Sequence, residues 1–147
     1  MASDLRYGVL PVVINRYSTW GEGAREHFGI GGPSNGSFLT FKVGMAQCFD
    51  LFGNFVALSG NGYHELANEA INKEEWKDLP ITCFFAGCGN WDGLSYQSKE
   101  GYDFLKISNP DRLFEYRNCW YKSVTGGHDW KVWSTEIYNA LQVLFRE

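Results

Sequence analysis

The chain has 147 residues, of which 44% are hydrophobic and 20% are charged, and its formal net charge is −4. Its length suits one domain with its own core, and this composition is typical of folded globular proteins rather than disordered ones. The acidic balance argues against a nucleic-acid partner, and no apolar run reaches the roughly 18 residues of a membrane-spanning helix.

The hydrophobic pattern predicts helices and strands in alternation. In chain order it predicts a helix over 4–17 that Pro11 kinks or interrupts, a strand over 27–32, a helix over 35–48, a strand over 55–59, a helix over 65–77, a strand over 81–87, a helix over 97–107, a strand over 114–121 and a helix over 130–145. Such alternation indicates an α/β fold, with a mainly parallel sheet of about four strands flanked by helices. Since no repeat or linker interrupts it, residues 1–147 are expected to form a single domain.

The four cysteines lack the paired spacing of a zinc site, and no metal is expected. Cys83 and Cys88 fall in or near one predicted strand. Their odd separation places them on opposite faces, and five residues of strand exceed the reach of a disulfide. They are therefore interpreted as free thiols in a buried strand.

The segment Gly32-Pro33-Ser34-Asn35-Gly36 has the form G-x-S-x-G of a nucleophile elbow. A predicted strand precedes it and a predicted helix follows it, as that motif requires. Gly32 and Gly36 lack side chains, which lets the strand and helix backbones approach each other at the turn. Ser34 is thus the predicted nucleophile, and the N–H of Asn35 is one predicted oxyanion donor. The alternative is a glycine turn with an incidental serine.

An elbow implies that an acid and then a histidine follow the serine along the chain. Asp92 lies in the loop after strand 81–87, and the carboxyl ends of parallel strands are where sites of α/β proteins form. His128 follows two glycines after the last predicted strand, in a loop that can reach the serine. We therefore predict Asp92 as the acid and His128 as the base of a Ser-His-Asp triad with Ser34.

Other residues are weaker candidates for these roles. Asp103 lies within a predicted helix, and Asp111 lies at the opposite end of the sheet. His27 precedes the elbow strand and so lies at its wrong end, whereas His64 is at a site-side strand end and is predicted to line the pocket. Asp129, beside the predicted base, is interpreted as the cap of the closing helix.

Three segments taken together resemble the esterase-D-related feruloyl esterases of the α/β-hydrolase fold, some of which are attached to xylanases. They are 31–36 with the elbow, 52–60, and 126–130 with His128, followed by the similar stretch 141–145. The resemblance covers almost the whole chain and corresponds to the carboxyl-terminal half of the family's domain. It implies hydrolysis of feruloyl or acetyl esters of plant cell-wall polysaccharide, without a cofactor. It also places Trp91 and Trp130 near an aryl group of the substrate.

The sequence departs from this family in two respects. Pro33 and Asn35 flank the serine where the family has other residues. The early strands of the family's domain are also missing, together with the loop that supplies a second oxyanion N–H. The elbow strand is then an exposed apolar edge, so we expect a homo-oligomer whose partner copy covers it.

Two further expectations complete the sequence-based interpretation. The start of the chain lacks the pattern of a secretory signal, although family members are often secreted, so the localisation is left open. The alternative function is a noncatalytic, truncated hydrolase domain that binds carbohydrate or aryl ligands. It rests on the six tryptophans, which either pack in the core or form a binding surface.

Overall fold

The computed structural model of the chain describes residues 1–20, 24–60 and 62–145. The elements in chain order are α1 (2–16, formed by Ala2–Asp4, a π-helical stretch Leu5–Val9 and Leu10–Arg16), a 3₁₀ turn Arg25–His27, β1 (Gly29–Pro33), α2 (Asn35–Leu39, continued by a π-helical stretch Thr40–Met45), β2 (Asn54–Leu58), α3 (His64–Ile71), β3 (Cys83–Gly89), α4 (Ser95–Ser108), β4 (Cys119–Val124) and α5 (Trp130–Leu141).

The four strands form one sheet in the order β1-β2-β3-β4, and each neighbouring pair is parallel. A helix joins each strand to the next, as parallel neighbours require. The predicted α/β class, with a parallel sheet of about four strands flanked by helices, is confirmed. Because all strands run the same way, their carboxyl ends, and the loops that follow them, lie at one edge of the sheet.

The two faces of the sheet are covered unequally. The larger core lies where α2, α3 and α4 pack on one face, and it includes Phe41, Phe55, Phe84 and Tyr102. The smaller cluster lies under α5 on the other face and is centred on Leu58, Cys83, Phe85 and Ala140. All seven residues of β3 are buried, as expected for a central parallel strand that is covered on both faces.

The cysteines confirm one sequence-based expectation. Cys48, Cys83, Cys88 and Cys119 are all buried free thiols. Burial raises the pKa of Cys83 and of Cys88 to about 12, because the uncharged thiol is favoured away from water.

Helix α1 continues past Pro11, so of the two predicted effects the interruption does not occur, and the helix is distorted just before the proline. The chain widens into the π-helical stretch Leu5–Val9 just before the proline and then resumes α-helical geometry, with Pro11 in its first turn. Proline has no N–H to donate to the preceding turn, and the π-helical stretch lies where that hydrogen bond is missing. None of the helices in the described ranges is long and apolar enough to cross a membrane.

Strand β4 begins five residues later than the aromatic pattern predicts. The sequence favoured a strand over 114–121, whereas β4 is Cys119–Val124. The Asn118 side chain accepts the N–H of Phe114 at 2.8 Å, and its amide donates to two further backbone carbonyls. With Tyr116 at a φ of 63°, this local network turns the chain before the strand starts.

Two helices are shorter than their hydrophobic patterns predict. Helix α3 ends at Ile71 instead of residue 77, and α5 ends at Leu141 instead of residue 145. After α3, the Asn72 side chain donates to the backbone O of Asn68 at 2.9 Å and so competes with continuation of the helix. Neither difference moves a predicted site residue. Both helices are shortened at their carboxyl ends, whereas His64 and Trp130 lie at their amino ends.

Candidate active site

Ser34 occupies a strained turn between β1 and α2. Its φ is 55° and its ψ is −115°, a region that residues with a side chain rarely adopt. The turn is held by the N–H of Ser34, which donates to the O of Leu58 at 2.9 Å. A Cβ on Gly32 would lie 3.2 Å from the Cα of Gly36, so the first glycine of the motif permits the close approach. This is the geometry of a nucleophile elbow.

The predicted nucleophile, base and acid are brought together in one hydrogen-bonded chain. His128 Nε2 lies 3.0 Å from Ser34 Oγ, and His128 Nδ1 lies 2.8 Å from Asp92 Oδ2. Since an ionised carboxylate only accepts hydrogen bonds, Nδ1 carries the proton that is donated to Asp92. Nε2 is then left with a lone pair directed at the Ser34 hydroxyl.

The Asp92 carboxylate is buried and accepts several hydrogen bonds. Its side chain is 1% exposed, against 37% for His128, and its Oδ1 accepts the N–H of Leu94 at 2.9 Å. Burial by itself raises the pKa of the Asp92 carboxyl, but hydrogen bonds from Leu94, His128 and Ser59 outweigh it, so the pKa lies below its ordinary value. Asp92 therefore stays ionised at neutral pH.

The loops after β3 and β4, which carry Asp92 and His128, are tied to each other. The N–H of Asn90 donates to Val124 O and that of Trp91 to Gly126 O, both at 2.9 Å. The Asn90 side chain accepts the N–H of Gly126 at 3.1 Å. A Cβ on Gly89 would overlap the O of Gly126, so this contact requires glycine. The separation between acid and base is thus set by backbone contacts.

The start of α5 packs against His128, the predicted base. Asp129 is the N-cap of α5, and its Oδ1 accepts the N–H of Val132 at 3.0 Å, which confirms its predicted capping role. The Trp133 ring stands edge-on against the His128 imidazole, with 5.0 Å between ring centroids. Trp130 in turn packs edge-on against Trp133 at 5.3 Å.

The other predicted site residues lie in the loops or in the first helical turns that follow the strands. Asn35 begins α2, so its N–H belongs to the first turn, where backbone donors lack an acceptor within the helix. Trp91 and Trp130 are 74% and 71% exposed. His64 begins α3 and packs edge-on against Phe104 of α4, at 4.8 Å between centroids. The oxyanion and substrate-binding roles stay predictions.

Sequence reasoning missed several residues that support this site. Gly89, Gly126 and Trp133 act through tertiary contacts, and only the glycines of the His128 loop carry a visible sequence signal. Glu136 was missed as well: it is fully buried on α5, and its carboxyl lies against Gly87 of β3. Burial raises the pKa of Glu136 to about 7. Within the described ranges, no cluster of three or more His, Cys, Asp or Glu could hold a metal ion.

Comparison with known proteins identifies similar chains. No protein-family model matches this sequence. Endo-1,4-beta-xylanase Y of Acetivibrio thermocellus is 30% identical in an alignment 165 positions long. The alignment covers 98% of this chain and 15% of the xylanase.

Solved structures agree with this sequence match. A serine-to-alanine mutant of the feruloyl esterase module from Clostridium thermocellum, complexed with sinapinate, superposes with a TM-score of 0.82 at 26% identity, over 99% of this chain and 58% of that one. An S-formylglutathione hydrolase from Staphylococcus aureus superposes with a TM-score of 0.66 at 21% identity, over 96% of this chain and 59% of that one, and shows likeness of fold alone.

The chain thus spans well under two thirds of the proteins that it matches. The sequence match and the superposition nevertheless cover nearly all of its own length. The resemblance first based on the elbow and the histidine segment is confirmed. The chain is thus feruloyl esterase-like over nearly its whole length, and it has an α/β-hydrolase-like fold.

Proposed function

We propose that this chain is a serine carboxylesterase in which Ser34 is the nucleophile, His128 the general base and Asp92 the orienting acid. The observation that carries this proposal is the continuous hydrogen-bonded chain from Ser34 Oγ through the His128 imidazole to Asp92 Oδ2, with distances of 3.0 and 2.8 Å. The backbone strain at Ser34 supports it, because strain of this kind concentrates at functional sites.

The first half of the reaction forms an acyl-enzyme. His128 Nε2 takes the proton of the Ser34 hydroxyl as its oxygen attacks the carbonyl carbon of the ester. The negative charge that develops on the carbonyl oxygen is stabilised by the N–H of Asn35. The imidazolium then gives its proton to the alcohol oxygen as the ester bond breaks, and the acyl group remains on Ser34.

The second half releases the acid. A water molecule loses a proton to His128 Nε2 as its oxygen attacks the acyl carbon, and the imidazolium returns a proton to Ser34 as the acid leaves. In both halves Asp92 holds the imidazole in the required tautomer and stabilises its cationic form. Since its pKa is lowered, Asp92 is already ionised at the pH where the imidazole must act.

For the substrate, we propose an ester of an aromatic acid such as ferulate, or of acetate, on plant cell-wall polysaccharide. The printed names of the similar proteins support this class: one is a xylanase, and another is a feruloyl esterase module complexed with sinapinate. Trp91 and Trp130, both largely exposed at the edge of the sheet that carries Ser34, are the proposed contacts for an aryl ring. His64 is a further proposed contact.

A second candidate function is binding without turnover. The exposure of Trp91 and Trp130 favours it, because exposed aromatic rings bind sugars and aryl groups irrespective of any chemistry nearby. This candidate predicts that ferulate or xylan fragments bind the chain, and that no ester is hydrolysed.

Turnover of p-nitrophenyl acetate and methyl ferulate tests the proposal. Ser34→Ala removes the nucleophile, and it is expected to lower kcat by ~10⁴-fold or more. Ser134→Ala is the matched control, because Ser134 is an exposed serine of α5 whose hydroxyl donates only to the O of Lys131 among the described residues. It should leave kcat unchanged.

Mass spectrometry after treatment with a fluorophosphonate gives a second readout. The hydroxyl oxygen of Ser34 should displace fluoride from phosphorus, adding one phosphonyl group to the wild-type chain and none to Ser34→Ala. Equal hydrolysis rates for Ser34→Ala and Ser134→Ala would overturn the esterase proposal. Ferulate binding in the absence of turnover would favour the second candidate.

A further inference from the structure

A fully buried serine lies next to the carboxylate of Asp92. This residue, Ser59, directly follows β2. Its hydroxyl oxygen lies 3.8 Å from the sulfur of Cys88 on β3, and its N–H donates to the O of Gly87 at 2.7 Å. Strands β2 and β3 each have a neighbour on both sides, so the position of Ser59 is set by the two central strands of the sheet.

The backbone of Ser59 is strained. Its φ is 50°, which is in the left-handed region that glycine adopts freely and that residues with a side chain rarely occupy. A glycine at this position would relieve the strain, but it would also remove the hydroxyl. A serine that is held in this conformation and has no exposed surface indicates that its side chain has a role.

The hydrogen bonds of Ser59 have a defined direction. Burial raises the pKa of the Cys88 thiol to about 12, so at neutral pH the sulfur keeps its proton and donates to the Ser59 oxygen. A hydroxyl that accepts one hydrogen bond still has its own proton to donate. The acceptor next to it is the carboxylate of Asp92, since the Ser59 hydroxyl is one of the groups that lower the pKa of Asp92.

The Asp92 carboxylate has room for this donor. Oδ1 accepts the N–H of Leu94 at 2.9 Å, and Oδ2 lies 2.8 Å from His128 Nδ1. An ionised carboxylate offers about four acceptor sites, so a third hydrogen bond is compatible with these two. Because the side chain is only 1% exposed, water does not readily replace a missing donor. Donors from three parts of the chain also restrict rotation of the carboxylate.

We propose that Ser59 is a positioning residue for the acid of the triad. Its hydroxyl donates to the Asp92 carboxylate and keeps one carboxylate oxygen directed at His128. Ser59 acts through Asp92, so this inference rests on the proposed function. Every hydrogen bond in the extended chain is donated toward the Asp92 carboxylate, and each therefore stabilises the negative charge there. The members of that chain are Cys88, Ser59, Asp92, His128 and Ser34.

Two substitutions of Ser59 separate the effect of the hydroxyl from that of the backbone. Ser59→Ala removes the hydroxyl and keeps a side chain at the strained φ, whereas Ser59→Gly removes both the hydroxyl and the strain. Both should lower kcat for p-nitrophenyl acetate at least about tenfold with KM unchanged, because each loses one hydrogen bond to a charged group. Ser98→Ala on α4 is the matched control, since Ser98 is also a buried serine, 2% exposed. It should keep the wild-type kcat.

The tautomer of His128 gives a second readout that does not need turnover. Nitrogen-15 NMR of the imidazole distinguishes a proton on Nδ1 from a proton on Nε2. Wild type should carry the proton on Nδ1, and both Ser59 variants should show a mixture, because a carboxylate that turns away no longer selects one tautomer. Circular dichroism shows whether each variant is folded. A loss of stability alone would not change the tautomer in the folded molecules.

Wild-type kcat together with the Nδ1–H tautomer in both Ser59 variants would overturn the inference. A loss of kcat in Ser59→Ala that Ser59→Gly does not share would also overturn it, because the backbone rather than the hydroxyl would then be responsible. Equal hydrolysis by wild type and Ser34→Ala would instead overturn the proposed function. In that case the tautomer measurement still decides whether Ser59 directs the carboxylate.

Discussion

The two halves of the site are held in different ways. The predicted acid–base half is formed by the loops after β3 and β4 and by the start of α5. Strand β3 is fully buried with a neighbour on each side, whereas β4 is the outer strand at the other end of the sheet. The nucleophile half is built on β1, a five-residue outer strand that is largely accessible. Backbone bonds between two loops set the position of His128 relative to Asp92, whereas Ser34 depends on one strained turn and on β2.

This difference indicates which half of the site is fixed by the fold and which half is sensitive to its surroundings. The acid–base half is preorganised by the fold, so its geometry should fail only when a cross-loop contact or α5 is disturbed. The nucleophile half is positioned locally, so it should respond to whatever covers β1.

The largest expected effect comes from breaking the acid–base half at the carboxylate. Asp92→Asn keeps the size of the side chain but removes the charge and allows the wrong imidazole tautomer, which should lower kcat by about 10⁴-fold. Steady-state hydrolysis of p-nitrophenyl acetate measures this, with Asp111→Asn, an exposed aspartate, as the control. A loss under tenfold would show that Asp92 does not orient the base.

A pH-dependent stability effect is expected from Glu136, which anchors α5 against β3. Its pKa is raised from 4.5 to about 7 in the folded chain, so the folded state binds more protons than the unfolded state between these values. The contribution of Glu136 to the free energy of unfolding should therefore be largest below pH 4.5, and it should be lost as the pH rises through 7. The loss is at most ~3 kcal/mol.

Glu136→Gln removes this dependence. Urea unfolding should show the variant to be more stable than wild type at pH 8 and close to it at pH 4.5. The control is Glu100→Gln on the exposed face of α4, which should follow wild type at both pH values. Parallel curves for Glu136→Gln and wild type would mean that this carboxyl does not change its charge on unfolding.

A further effect should follow from a single methyl group between the two loops. Gly89→Ala would place its Cβ against the O of Gly126 and push the loops apart. A displacement of about 1 Å between acid and base is expected to lower kcat roughly 100-fold. Gly93→Ala is the matched control in the same loop, since a Cβ there meets no atom within 4 Å. If the two variants have equal kcat, the loop contact does not position the base.

The features that depend on the order of motifs along the chain could be predicted from the sequence. The elbow pattern around Ser34 implies a strand before it, a helix after it, and an acid and a histidine further along the chain. That logic led to Asp92 and His128, which lie within hydrogen-bond distance of each other, although their catalytic roles stay predictions. The alternation of helices and strands was likewise sufficient to predict the parallel sheet.

Features that depend on approach between distant segments could not be predicted in this way. Nothing local to Gly89 or Gly126 indicates that their backbones meet, and nothing in the pattern of α5 indicates that Trp133 faces the imidazole or that Glu136 is buried. The error in β4 has the same origin. Phe114 and Tyr116 have high strand propensity, but the hydrogen bonds of Asn118 favour a turn there.

The four buried thiols have a practical consequence. A thiol whose pKa is raised and whose sulfur lies inside the core reacts with iodoacetamide only when the surrounding structure opens. Cys83 and Cys88 report on the central strand, Cys119 on the far edge, and Cys48 on the segment that follows α2. Timed alkylation followed by peptide mapping would therefore reveal, without any added label, which part of this chain unfolds first.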